Sequence, residues 1–232
     1  MKQPDEGKTK DRAVDAGIIR DGLSTAEYFR YSRSRGGSRH VGYMTGRRLE
    51  GGGKGVVLDV GCGAGFSARS FAGRKPELFV VGCDIDAGLI MYSAGLEPVP
   101  GNMALIATPE DTLPFADASF DLVYSEGSFH HFRLKNKMID EMWRVLKPGG
   151  NLLVADLNPE SFKARAFVWF VSVLERLGVA GKTARALAGS IKESSPPGEV
   201  VEMFSSRGII CAVTKTVASV YYEARKPAPA DS

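Results

Sequence analysis

Apolar and polar positions alternate along this chain in two rhythms. Short apolar runs closed by glycine or an acid predict buried strands at 56–60, 78–83, 103–107, 120–124 and 151–155. Between them lie stretches with helical spacing, at 67–72, 87–94 and 134–146, the last carrying Met138, Met142, Val145 and Leu146. Lys147-Pro148-Gly149-Gly150 then stops that helix. Strands alternating with helices predict an α/β fold, a doubly wound, Rossmann-like parallel sheet with helices on both faces. After Asp156 the alternation breaks. Residues 160–192 read as helical with a break near 178–181, 199–206 as a last helix, and 209–216 and 219–224 as an antiparallel hairpin. Upstream, 24–50 reads as a basic helical region split at Gly36-Gly37 and closed by the joint Gly51-Gly52-Gly53. The expected organisation is a flexible tail at 1–20, a helical lid segment at 21–54, one domain at 55–225 with a helical insertion at 157–198, and a short tail at 226–232.

Composition narrows the picture a little. The 232 residues suit one α/β domain, and 44% apolar with 25% charged residues is ordinary for a globular protein. A net charge of +3 gives no bulk reason to expect nucleic acid or anionic lipid as partner. The three cysteines, Cys62, Cys83 and Cys211, form no CxxC pair, and His130 and His131 have no cysteine nearby in sequence, so no metal site is expected. Residues 1–20 are polar, and the most apolar stretch, 166–174, is far shorter than the roughly 20 residues of a membrane span. A cytoplasmic protein without a transmembrane segment is expected.

The strongest local signal is Asp59-Val60-Gly61-Cys62-Gly63-Ala64-Gly65, set between a predicted strand and a predicted helix. Glycines there permit a tight turn and close approach of backbone to ligand, and the helix start offers free N–H groups. A dinucleotide site would have its third glycine where Phe66 stands, and Asp59 would repel a pyrophosphate. The arrangement suits a nucleoside bearing an ammonium group. About 20 residues further on, Asp84 closes the second strand, where a carboxylate can accept both ribose hydroxyls. The competing reading is a helix N-cap, open to Asp84 or Asp86.

These residues carry a resemblance. VVLDVGCGAGFSA (56–68), VVGCDID (80–86), LPFADASFDLVYS (113–125), HHF (130–132) and RVLKPGGNLLVAD (144–156) stand in the order and spacing of class I S-adenosylmethionine-dependent methyltransferases, in the broad group of ubiquinone and menaquinone C-methyltransferases. The resemblance implies a seven-stranded sheet with its last strand antiparallel, and S-adenosylmethionine at the carboxyl ends of the strands. Gly61, Gly63 and Gly65 would hold the methionine part with Asp59 beneath. Asp84 would hold the ribose, Ile85 would pack on the adenine, and Ser125 would face the sulfonium. The family's adenine-capping Asp is replaced here by Pro109, which leaves Glu110 or Asp111 to take that contact.

Methyl transfer from a sulfonium needs alignment and exclusion of water more than metal chemistry. A hydroxyl or acidic-carbon acceptor also needs a base; His130 and His131 are the candidates, Glu126 a weaker one. A small apolar or aromatic acceptor is expected. The aromatic 160–192 segment either lines an apolar pocket, touches a membrane surface peripherally, or packs on the sheet. Two alternatives stay open: methylation of nucleic acid or protein, for which the Arg-rich 30–48 segment is the support, and a non-catalytic cofactor-binding module, motivated by Pro109.

Overall fold

β1 (Gly55–Val60) shows how the sheet is built. Val57 joins one buried cluster, with Ala68, Phe71, Leu122 and Tyr124, while Leu58 and Val60 join another, with Met138, Ile139, Met142 and Phe204. A strand's side chains point alternately to opposite faces, so an apolar run feeds two cores at once. The structure, a computed structural model, describes residues 23–35, 55–109 and 111–228.

β2 (Leu78–Asp84) and β4 (Phe120–Glu126) flank β1 in parallel, and β3 (Met103–Ala107) and β5 (Leu146–Leu157) extend the sheet on either side. β7 (Ser219–Arg225) runs antiparallel to β5 and pairs with β6 (Cys211–Lys215). The order β3-β2-β1-β4-β5-β7-β6 is the expected doubly wound sheet of seven strands closed by an antiparallel hairpin. α2 (Phe66–Arg74) covers one face, where the Phe71 ring stacks 5.9 Å from that of Tyr124. α4 (Lys135–Val145) and α7 (Pro197–Ser205) supply buried residues to the other face. α3 (Ala87–Leu96) follows β2 and is capped by Asp86, which accepts from the Leu89 N–H at 2.9 Å.

One segment departs from the sequence reading. The helix stops where expected, but β5 begins at Leu146 rather than at 151, so Lys147-Pro148-Gly149-Gly150 lies inside the strand. The ladder slips there: Phe120 pairs with Leu146, but Leu122 pairs with Asn151. Gly149 takes φ 80°, and a Cβ on Gly150 would stand 2.9 Å from the Asp121 carbonyl oxygen, so the two glycines absorb the extra residues as a bulge. Lys226, where a tail was expected to begin, exchanges backbone hydrogen bonds with Gly149 and Gly150. Its Nζ donates to the carbonyls of Trp143 and Leu146 at 2.6 and 2.8 Å, capping the end of α4.

Three helices gather over the carboxyl ends of the strands. α1 (Thr25–Arg35) starts with a reciprocal cap, the Ser24 N–H on Glu27 Oε2 and the Glu27 N–H on Ser24 Oγ. Phe29 packs with Ala64 and Leu89, its ring 5.1 Å from Phe66 and 5.5 Å from Tyr92. The expected helical insertion is α5 (Phe162–Arg176) and α6 (Lys182–Glu193). Lys182 on α6 bonds Glu27 on α1 at 3.0 Å. The second helix expected in 24–50, the tail at 1–20 and Glu110 lie outside the described residues.

Candidate active site

The glycine turn hangs from the end of β2. Gly61 and Cys62 both donate their N–H to the Cys83 carbonyl, at 2.8 and 3.0 Å. Gly61, Gly63 and Gly65 have φ of 75°, 55° and 74°, which an L side chain rarely adopts. At Gly61 the constraint is double, because a Cβ would fall 2.4 Å from Ser128 Oγ. A Cβ on Gly63 would lie 3.7 Å from the Tyr28 ring, so α1 holds an aromatic side chain over the turn.

Asp84 locks the turn to the strand end. Its Oδ2 accepts from the Gly63 N–H at 2.7 Å and its Oδ1 from the Asp86 N–H at 2.9 Å. A carboxylate offers about four acceptor positions, so capacity remains for a diol. The helix cap is therefore Asp86, and Asp84 is not spent on it. Ile85, the next residue, is 44% exposed although apolar, and offers a surface on which a flat ring can pack.

Asp59 is buried under the turn on the α2 side of the sheet, across from Tyr124. Burial pushes its carboxyl well above the usual carboxylate range, with the nearby charges of Glu126 and Asp84 adding to the effect. Glu126 ends β4 and accepts from Ser67 Oγ at 2.6 Å. Three carboxyl groups thus crowd the ends of β1, β2 and β4. The charges of Asp84 and Glu126 suit a cationic ligand and disfavour a phosphate.

The other expected residues divide. Ser125 is buried and shares a 2.9 Å hydrogen bond with Ser128, which also donates to the Val60 carbonyl at 3.2 Å. Asp111 is drawn to Lys137 at 2.9 Å, which holds its carboxyl below the usual range. The loop from 113 to 117 is fixed by Arg144, which bonds the Leu113 and Phe115 carbonyls, Asp117 and Glu141.

The two histidines occupy a short 3₁₀ turn, Phe129–His131, just after β4, with ring centroids 4.0 Å apart. Their surroundings differ. His131 Nδ1 meets Glu193 of α6 at 3.1 Å on an exposed flank. His130 is buried, and its Nδ1 stands 2.6 Å from Asp156 Oδ1 at the end of β5. The same oxygen accepts from the Leu157 N–H at 2.8 Å, and as a carboxylate it would receive the Nδ1 proton of a neutral His130 ring. Nε2 is buried without a partner. Asp156 is the residue that sequence reasoning missed. Its signal was there, because Leu152-Leu153-Val154-Ala155-Asp156 ends a buried strand on an acid as β2 does at Asp84.

Comparison with known proteins agrees with the geometry. Residues 58–154 match the family model described as "Methyltransferase domain". The chain is 32% identical over 163 residues to a demethylmenaquinone methyltransferase of Renibacterium salmoninarum, covering 69% of this chain and 62% of that protein. It is 27% identical over 113 residues to a malonyl-[acyl-carrier protein] O-methyltransferase of Legionella pneumophila, covering 49% of this chain and 40% of that one. The chain therefore spans less than two thirds of the length of either relative. In fold it is similar to a SAM-dependent methyltransferase from Aquifex aeolicus, with TM-score 0.65 at 19% identity, covering 88% of this chain and 98% of that one.

Proposed function

We propose that this chain, which belongs to the class I S-adenosylmethionine-dependent methyltransferases of the ubiquinone and menaquinone C-methyltransferase-like group, moves a methyl group to a small apolar or aromatic acceptor. The cofactor is S-adenosylmethionine, which supplies when bound a methyl group activated by a positive sulfonium. The observation that carries the reading is the Asp84 carboxylate, bonded to Gly63 at 2.7 Å in a turn of three left-handed glycines.

Each residue then has a physical task. The glycine turn lets the backbone reach the amino-acid part of the cofactor, and Asp84 accepts from the ribose hydroxyls. Ile85 packs against the base, in place of water. Asp84 and Glu126 give the site a negative potential that favours a cation. His130 takes the acceptor's proton at Nε2 while Asp156 holds the imidazole in the tautomer that leaves Nε2 free. Tyr28 and the helices α1 and α6 screen the site from water, which would otherwise weaken the alignment on which displacement depends.

A proton-bearing acceptor, phenolic or hydroquinone-like, follows from the buried imidazole. The names of similar proteins include a demethylmenaquinone methyltransferase, which supports an aromatic acceptor. The test is calorimetric titration with S-adenosylmethionine and S-adenosylhomocysteine, wild type beside Asp84→Ala, followed by methyl transfer to phenols and hydroquinones. Micromolar binding lost in the variant, with product on an aromatic oxygen or carbon, is expected. No binding to the wild type overturns the reading. Binding without transfer to any aromatic acceptor overturns the substrate class.

A further inference from the structure

α5 leaves its largest apolar side chains in water. Phe162 is 85% exposed, Trp169 69%, Phe170 53%, and Leu177, just past the helix end, 67%. Single exposed apolar residues are common, but a contiguous set signals a binding surface. Successive helix residues turn by about 100°. Trp169, Phe162, Val173, Ala166 and Phe170 therefore fall within about 100° of arc. Val171, buried, points the opposite way, toward the body of the protein.

The borders of this arc are cationic on both sides. Arg165 and Arg176 lie beside Trp169, and Lys163 lies beside Phe170. Arg165, Arg176 and Lys163 are exposed. The one acid in the helix, Glu175, falls on the far side, and Glu160, just before it, is bonded to Lys215 at 2.9 Å. An aromatic and aliphatic stripe edged by cations matches the acyl-headgroup boundary of an anionic bilayer, where indole and phenyl rings settle among the chains and guanidinium groups meet phosphate. The helix has 15 residues, and among the described residues no helix is long and apolar enough to cross a membrane. It would lie on the surface, not through it.

We propose that the outward face of α5 docks the protein on anionic lipid bilayers, with Trp169, Phe162 and Phe170 inserted at the interface and Arg165, Arg176 and Lys163 on the headgroups. This proposal does not rest on the acceptor class above.

Co-sedimentation of the full chain with vesicles tests it, using phosphatidylcholine alone and phosphatidylcholine mixed with phosphatidylglycerol. Binding to the mixed vesicles, weakened by salt, is expected, with a blue shift of tryptophan emission that Trp169→Phe removes. Each surface cation contributes about 1 kcal/mol, so Arg165→Gln with Arg176→Gln should weaken partition roughly 30-fold. Both side chains are exposed, so the variant should fold and keep S-adenosylmethionine affinity. Absence of co-sedimentation with mixed vesicles overturns the proposal. So does a solution dimer that Trp169→Glu splits, in a protein that does not partition onto vesicles, because the stripe would then be covered by a second copy.

Discussion

Asp156 Oδ1 stands 2.6 Å from His130 Nδ1, joining the end of β5 to the turn after β4 inside the protein. The pairing fixes which imidazole nitrogen is free. Replacing Asp156 with Asn offers an amide in place of a carboxylate and unsettles the tautomer. Turnover in Asp156→Asn and His130→Ala should fall by about 10²–10⁴, while cofactor affinity by calorimetry stays near wild type. Wild-type turnover in His130→Ala would remove this histidine from the chemistry.

Asp84 meets two backbone N–H groups as well as the expected ribose. Hydrogen bonds to charged groups are each worth about 1.5–3 kcal/mol, so Asp84→Asn should weaken cofactor binding by about 10- to 150-fold. Far-ultraviolet circular dichroism should be unchanged. An unaltered dissociation constant would separate Asp84 from the ligand and leave it a purely structural clasp.

Gly61→Ala meets two obstacles, the left-handed φ of 75° and Ser128 Oγ at 2.4 Å from the new Cβ. Strain of this kind costs about 1–3 kcal/mol, and each kcal/mol lowers the melting temperature of a chain this size by roughly 2–4 °C. Adding Ser128→Ala should recover only part of the loss, because φ is untouched. A single Gly61→Ala variant that melts with the wild type would contradict the turn geometry.

The strands, and the residues that close them, could be read from apolar runs ended by glycine or acid, because a two-faced sheet demands them. Met103–Ala107 sits where the pattern placed it, and Asp84 took its expected strand-end position. Long-range partners were less legible. Nothing local to Asp156 or His130 says that they meet, because their contact depends on the β4–β5 register. The Lys147–Gly150 stretch was less legible for a related reason: its composition is that of a turn, while pairing with Lys226 and with β4 keeps it in the sheet.

Asp59 makes stability depend on pH in a definite direction. Its carboxyl is raised by burial, so the unfolded chain ionises at about pH 4 while the fold keeps the proton. Between the two values the folded state binds more protons, and stability falls as pH rises toward the folded value. Asp59→Asn has no proton to lose. Its melting temperature relative to wild type should therefore rise from about pH 5 to about pH 8. A difference that stays constant across that range would mean that Asp59 is ionised in the fold.

Because the glycine turn and the end of β2 are already clasped through Asp84, an arriving nucleoside meets a turn that is already ordered. A site shaped in advance loses little conformational freedom on binding. Encounter rates for related nucleosides should then be alike, and the protein will tell them apart by how long each one stays.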